Sequence, residues 1–305
     1  MVRILLWMEG AQCGEWLNDY CICIMKPLSK YMNLKNRVLS GLTKRIIERN
    51  SKFENIHKGE SCYLFGNGAS LKYYNLKYFN DKLAIACNSF FLHRDFRHVN
   101  VKYYFEGHSF YYYPYWINPY SRKIQKNPMG KFCKEKNLCN DDILFFCNLS
   151  NYFGIHGDNI YYVHNFGVPF DGFANCKLDG SFTATSSALS GMLGLAIFMG
   201  FEDITLVGCD YSFFPQSQGH FYEYGRFPDT FDKDPNEEFL LDAMQYANVR
   251  VITPNDEYRG HILPHVSYKD FTGNEPIYKE NNEILSDSDL LNLDRFDMLY
   301  KIFSK

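Results

Sequence analysis

The sequence predicts an α/β fold in which a mostly parallel sheet is covered by helices on both faces. Three observations predict it. Short apolar runs end in Gly, Asn or Asp, helical periodicity separates the later runs, and no internal repeat or low-complexity block breaks the alternation. Cys62-Tyr63-Leu64-Phe65 is the first run and stops at Gly66, and Leu83-Ala84-Ile85-Ala86-Cys87 stops at Asn88. Val101 to Phe105, Ile143 to Cys147 and Ile160 to Val163 continue the series. The clearest unit opens at Thr183-Ala184-Thr185-Ser186-Ser187 and runs as a helix to Met199. Leu189, Met192, Leu193, Ala196 and Ile197 repeat there at helical spacing, which predicts one broad apolar face. Gly200 is placed to stop the helix, and the strand Ile204 to Cys209 follows. A later helix, Asn236 to Ala247, leads to the strand Val249 to Thr253.

Residues 1–58 lack strand runs and form a separate helical extension, 59–272 form the main domain, and 273–305 form a polar extension closing on a short helix near Leu290 to Phe303. Within the extension, Asn36 to Asn50 is a basic amphipathic segment with Arg37, Lys44, Arg45 and Arg49. Such a helix suits either an anionic membrane surface or its own domain.

Composition narrows the class. The chain is 46% hydrophobic and 22% charged, which is ordinary for a folded protein. Its formal charge of -3 supplies no basic field for nucleic acid. Ten cysteines without a Cys-x-x-Cys pair, several inside apolar runs, indicate buried reduced thiols. Ile4 to Met8 is too short for a secretory core, and no stretch approaches the ~18 apolar residues a spanning helix needs. A cytoplasmic location follows, with peripheral contact at the inner membrane face and oligomerisation left open.

In an open parallel sheet, ligands bind beyond the carboxyl ends of the strands, so those loops carry the candidate site. Gly66-Asn67-Gly68-Ala69-Ser70-Leu71 permits close ligand approach, with Asn67 and Ser70 offering hydrogen bonds. Leu71 replaces the third glycine of a dinucleotide fingerprint, so the turn reads equally as structure or as site. Asn88 and Asp210 each follow a strand, where they either cap it or face a ligand. Thr183, Thr185, Ser186 and Ser187 are more hydroxyls than one helix cap needs and could hold a phosphate. Gly219 to Arg226 is a polar aromatic loop with His220, Tyr222 and Tyr224. His261, His265, His108 and His164 compete with His220, and none has metal-ligand spacing with a fourth partner. Asp232-Lys233-Asp234 has the carboxylate spacing of metal-dependent glycosyltransferases but reads as solvated surface.

The Gly66 to Leu71 turn, Cys87-Asn88 and the unit from Thr183 to Asp210 resemble two related groups. These are the bacterial sialyltransferases of glycosyltransferase family forty-two and the MptE-like group, which includes motility accessory factors implicated in adding nonulosonic acids to flagellin. The resemblance covers about half the chain in separated blocks between residues 61 and 225. It implies a Rossmann-like variant of the GT-A fold, and a metal-independent inverting glycosyltransferase that moves a sialic-acid-like sugar from a CMP-activated donor to a glycan acceptor in surface polysaccharide biosynthesis. It requires no cofactor beyond that donor. It further implies that Gly66, Asn67, Gly68, Ser70 and Asn88 contact the nucleotide, that Thr185, Ser186 and Ser187 contact the donor, with Asp210 beside them, and that Tyr222 and Tyr224 in a lid over 211–235 assist the phosphate. Family forty-two places its catalytic His late in the lid, where Asp229 to Glu238 here has none. His220 stands earlier and is the expected base, with His261 as the other candidate. Two further readings fit the same blocks: a Mg-dependent pyrophosphokinase using ATP, with Asp210 and Asp232 as metal ligands, and a non-catalytic nucleotide-binding accessory protein.

Overall fold

A computed structural model describes residues 33–117, 124–127, 130, 131, 133–135, 142–216, 219–222 and 234–277. The chain forms two compact units, 1–44 and 45–305. Residues 33–47 are helical, and the helix tightens into a 3-10 turn over Glu48–Phe53. That turn belongs to the larger unit, where Phe53 packs edge-on against Tyr161 and Phe146 at 4.9 and 5.1 Å. The buried Asn50 side chain donates to the carbonyls of Tyr162 and Leu178, both at 2.8 Å. The helix expected near Leu290 to Phe303 lies outside the described residues.

The sheet has eight strands, all parallel: β1 (Ser61–Phe65), β2 (Leu83–Cys87), β3 (Val101–Glu106), β6 (Leu144–Asn148), β7 (Ile160–Val163), β8 (Asp203–Val207), β10 (Asn248–Thr253) and β12 (His265–Ser267). Two short pairs complete the set, β4 (Tyr115–Ile117) with β5 (Ile124–Lys126) and β9 (Phe213–Phe214) with β11 (Arg259–Gly260). The order is β12-β10-β8-β1-β2-β3-β6-β7. From β1 the chain winds outward through β2, β3, β6 and β7, then returns to β8 on the other side of β1 and winds outward again. The order therefore reverses between β1 and β8, which makes their carboxyl ends the crevice of a doubly wound sheet. The short strands β4, β5, β9, β11 and β12 carry too few residues for a periodic signal.

Both faces of the strands are buried, as their continuous apolar runs require. Cys62, Leu64, Ile85, Cys87 and Phe105 point into one core with helices Ala188–Phe198 and Glu237–Ala243. Tyr63, Phe65, Ala84, Ala86 and Tyr104 point into the other. The second face is covered by helix Tyr268–Thr272 and a run of 3-10 turns (Ala69–Tyr73, Leu76–Phe79 and Phe90–Leu92), with aromatic bulk filling the space. Tyr74 stacks on Tyr268 at 4.9 Å and 3°, and Phe65 on Phe90 at 4.7 Å. The abundant aromatics are thus mainly packing mass. Six described cysteines are free and buried; Cys13, Cys21, Cys23 and Cys139 lie outside the described residues.

Helix Ala188–Phe198 differs from its sequence signature. Periodicity marks one apolar face, yet nine of its eleven residues are buried, so it is enclosed on all sides. Gly191 and Gly194 make the enclosure close. A Cβ on Gly191 would fall inside the Phe105 ring, and one on Gly194 would lie 2.8 Å from the Phe182 ring. Gly200 follows the helix with φ +87°, where a side chain would be strained.

On an exposed helix, Gly→Ala gains up to ~1 kcal/mol in propensity. At Gly191 the clash with a buried ring, worth ~1–3 kcal/mol, opposes it. We therefore expect Gly191→Ala to lower the free energy of unfolding by about 1 kcal/mol in urea titrations; stabilisation would show that the Phe105 contact is loose.

Candidate functional site

The site begins where β1 and β8 end together. The backbone ladder continues past both strands, with Gly66 N–H donating to Val207 O at 2.9 Å and Gly68 N–H to Gly208 O at 2.8 Å. Glycine is needed for proximity here more than for unusual dihedrals. A Cβ on Gly66 would meet the Gly208 carbonyl, and one on Gly68 would fall on the Asp210 carboxyl. Gly208 itself has φ +70° and faces Leu71.

Asp210 seats against this turn. Ser70 Oγ donates to its Oδ1 at 2.5 Å and Ser70 N–H to its Oδ2 at 2.7 Å. Both side chains are buried. Ser70 and Asp210 thus satisfy each other, which binds the first turn to the end of β8. Burial pushes the Asp210 carboxyl up to about 7, against the opposing pull of the Ser70 bonds and the His220 charge.

The two asparagines are arranged differently. Asn67 Nδ2 donates to Cys87 O at 3.0 Å, which orients its amide and leaves Oδ1 buried without a partner. Asn88 sits at φ +50°, its N–H on Phe105 O at 3.4 Å and its carbonyl accepting from Tyr104 Oη at 2.7 Å. Its Oδ1 is also buried and unpartnered among the described residues. Both residues line one open cleft of about 180 Å³. Two buried, unpartnered acceptors on residues that line one cleft are costly unless a donor reaches them.

Gly66, Gly68, Ser187, Asp210 and His220 line the same cleft. Ser187 caps helix Ala188–Phe198 in a reciprocal capping box with Ser190, and its Oγ donates to Asn236 Oδ1 at 2.5 Å. The helix N-terminus thereby opens onto the cleft and favours negative charge there. No Lys or Arg is among the described lining residues. Thr185 and Ser186 are not in the lining: Thr185 accepts from Asn165 and Ser186 pairs with Ser190, both at 3.4 Å.

His220 is strapped to the turn. Ala69 N–H donates to Gly219 O at 3.1 Å and Phe221 N–H to Asn67 O at 3.0 Å, so His220 bridges Gly68 in antiparallel register. Phe221 is fully buried, and the His220 ring stacks on Tyr222 at 5.1 Å and 8°. Tyr224 and Asp232 lie outside the described residues. His261 is exposed, accepts weakly from Asp234 N–H at 3.4 Å, and does not line the cleft.

Sequence reasoning missed Ser212 and Asn236 in the lining. Asn236 stands before helix Glu237–Ala243 as Ser187 stands before its own, and that cap position was the available signal. Its amide is held by the buried Asp234, whose Oδ1 accepts from Asn236 N–H at 2.7 Å and Nδ2 at 3.2 Å. Among the described residues no group of three or more His, Cys, Asp or Glu side chains converges as a metal site, and no helix is long and apolar enough to cross a membrane.

The chain is similar in structure to a single-residue variant of the sialyltransferase Cst-II in complex with CMP, at 15% identity over 77% of this chain and 98% of that one, with a TM-score of 0.37. It is similar too to an alpha-2,3-sialyltransferase from Campylobacter jejuni in apo form, at 17% identity over 81% and 98% of the two chains, with a TM-score of 0.41. No protein-family model matches the chain, and no curated protein does.

The raised Asp210 value fixes a pH dependence. Between its ordinary value of 3.8 and about 7 the unfolded chain releases a proton that the folded chain keeps, so stability falls as pH rises through that window. Asp210→Asn cannot ionise and escapes the loss. Melts between pH 4 and 8 should show the variant gaining on the wild type by a few kcal/mol and levelling above pH 7; a constant difference would mean that Asp210 ionises as an ordinary surface carboxylate.

Proposed function

We propose that this chain is a glycosyltransferase that moves an acidic, sialic-acid-like sugar from a CMP-activated donor to a glycan hydroxyl, inverting the anomeric centre without a metal. The observation that carries the reading is the pair of buried, unpartnered acceptors, Asn67 Oδ1 and Asn88 Oδ1, at the switch-point cleft. A nucleoside presents matching donors, the exocyclic amine of cytosine and the ribose hydroxyls. The sequence resemblance of the same turn and strand ends to CMP-sugar transferases narrows the nucleotide.

The rest of the cleft suits the phosphate. The N-terminus of helix Ala188–Phe198 supplies backbone N–H groups and a positive partial charge. His220, held beside Gly68, and the hydroxyls of Tyr222 and Tyr224 are the groups we assign to the charge that develops as the glycosidic bond breaks. Each such donor is worth ~10²–10³ in rate where it acts on a leaving oxygen. Acceptor oxygen attacks the anomeric carbon from one face while the bond to the phosphate oxygen breaks on the other, its electron pair leaving with CMP. Peripheral membrane contact and a polysaccharide acceptor are consistent with this chemistry and belong to the same proposal.

A thermal-shift panel of CMP, CDP, UDP, GDP and ATP, each with and without Mg²⁺, tests it. At a hundredfold excess over the dissociation constant, CMP alone should stabilise the protein by ~2.7 kcal/mol; preference for ATP with Mg²⁺ would establish the pyrophosphokinase reading instead. Asn88→Gly keeps the left-handed backbone and removes one acceptor. It should weaken CMP binding about 2–10-fold, the worth of one neutral hydrogen bond, while leaving the fold intact by circular dichroism.

A further inference from the structure

A second acid–base pair stands at the same edge of the sheet. β3 ends at Glu106, whose side chain is buried, and His108 follows two residues later with its side chain half exposed. His108 Nδ1 meets Glu106 Oε1 at 2.5 Å, and His108 N–H lies 3.4 Å from the same oxygen. The loop is pinned on other sides too. Asn151 Nδ2 donates to His108 O at 2.8 Å, and the imidazole packs on Tyr111 at 5.3 Å. The Nε2 atom has no partner among the described residues.

This is the geometry of an oriented base: a buried carboxylate fixes the tautomer and ring, and the outer nitrogen is free to take a proton. Neither Glu106 nor His108 is in the lining of the cleft, but the pair stands one strand beyond it. β2 and β3 are adjacent, with Cys87 opposite Phe105, so Glu106 is level with Asn88, and neighbouring strands lie only ~4.8 Å apart. Cys87, the last residue of β2, lines the cleft.

We propose that His108, positioned by Glu106, is the general base that deprotonates the acceptor hydroxyl, while His220 serves the phosphate side. This rests on the transferase reading above. In the step, Nε2 takes the hydroxyl proton, the oxygen bonds the anomeric carbon, and CMP departs with the electron pair of the broken bond. The division of labour agrees with the placement of His220, whose loop is bonded to the Gly68 turn on the β1 side, whereas His108 rises from β3.

Burial pulls the His108 imidazole down, but the charge of Glu106 and its hydrogen bond together outweigh this and hold the group above its ordinary value of 6.5. Among the described residues the other ionisable groups around the pair include Cys87, Cys133, Cys147, Tyr104, Tyr111 and Tyr112; burial keeps Cys133 and Tyr112, for example, neutral through the physiological range. Activity should therefore rise with pH along a limb set by the Glu106–His108 pair.

The experiment follows CMP release by the full chain from CMP-N-acetylneuraminate, with lactose or water as acceptor, across pH 5–9. His108→Gln should lower kcat by ~10²–10⁴-fold and leave the CMP thermal shift unchanged. Glu106→Gln should move the acidic limb down towards 6.5, and the same displacement should persist in an Asp210→Asn background, which removes the buried carboxyl pushed up to about 7. Wild-type kcat and an unmoved limb in His108→Gln would overturn the assignment while leaving the transferase reading intact; parallel loss of CMP binding would also overturn it, in favour of a structural role. A wild-type chain that binds CMP but never releases it from the donor would sink the transferase reading and this one with it. Should Glu106→Gln fail to fold, Glu106→Asp, which lengthens the contact to Nδ1, replaces it and should give an intermediate displacement of the limb.

Discussion

The structure depends on the seating of Asp210 against the first turn. Parallel strands do not join their neighbours locally, so β1 and β8, separated by some 140 residues, need a lock where their loops diverge. The lock is the pair of bonds from Ser70 to the Asp210 carboxyl, 2.5 and 2.7 Å long, in a site stripped of side chains by Gly66 and Gly68. Its burial carries a cost, visible in the raised value of the carboxyl. In return, it brings the turn after β1, the end of β8 and the His220 loop to one place. Ser70 consequently acts on the cleft through Asp210, with its own hydroxyl already engaged.

Around that lock the two faces of the sheet are filled by unlike means. One face takes a helix enclosed on all sides, possible because Gly191 and Gly194 let the Phe105 and Phe182 rings approach its backbone. The other takes stacked aromatic rings over short 3-10 turns. Dense packing of this kind resists deformation, so the loops above it inherit a rigid platform. A rigid platform is what a cleft built from loops needs to hold orphaned acceptors such as Asn67 Oδ1 in place.

The cleft is chemically divided. The end formed by Asn67 and Asn88 is neutral and hydrogen-bonding, and the described lining holds no Lys or Arg. The N-terminus of helix Ala188–Phe198 opens onto the cleft and favours negative charge there. The Glu106–His108 pair stands one strand beyond Asn88.

By itself the sequence determined the elements whose signals are local. The apolar runs at Cys62 to Phe65, Leu83 to Cys87 and Ile160 to Val163 are strands because no helix stripe can account for a continuous run between turn residues, and Ser187 caps its helix as its position predicts. The loop rule for parallel sheets likewise singled out Asn67, Asn88 and Asp210 as candidates, and all three line the cleft, since strand ends are readable without contacts. Only the tertiary structure decided which hydroxyls face the cleft and which are consumed by their neighbours. It separated Ser187 from Thr185 and Ser186, gave Ser70 to Asp210, and recruited Asn236 from nearly fifty residues away. It also joined Glu106 to His108, two residues that look unremarkable in the chain. Those outcomes depend on burial and on long-range pairing, and a linear pattern encodes neither.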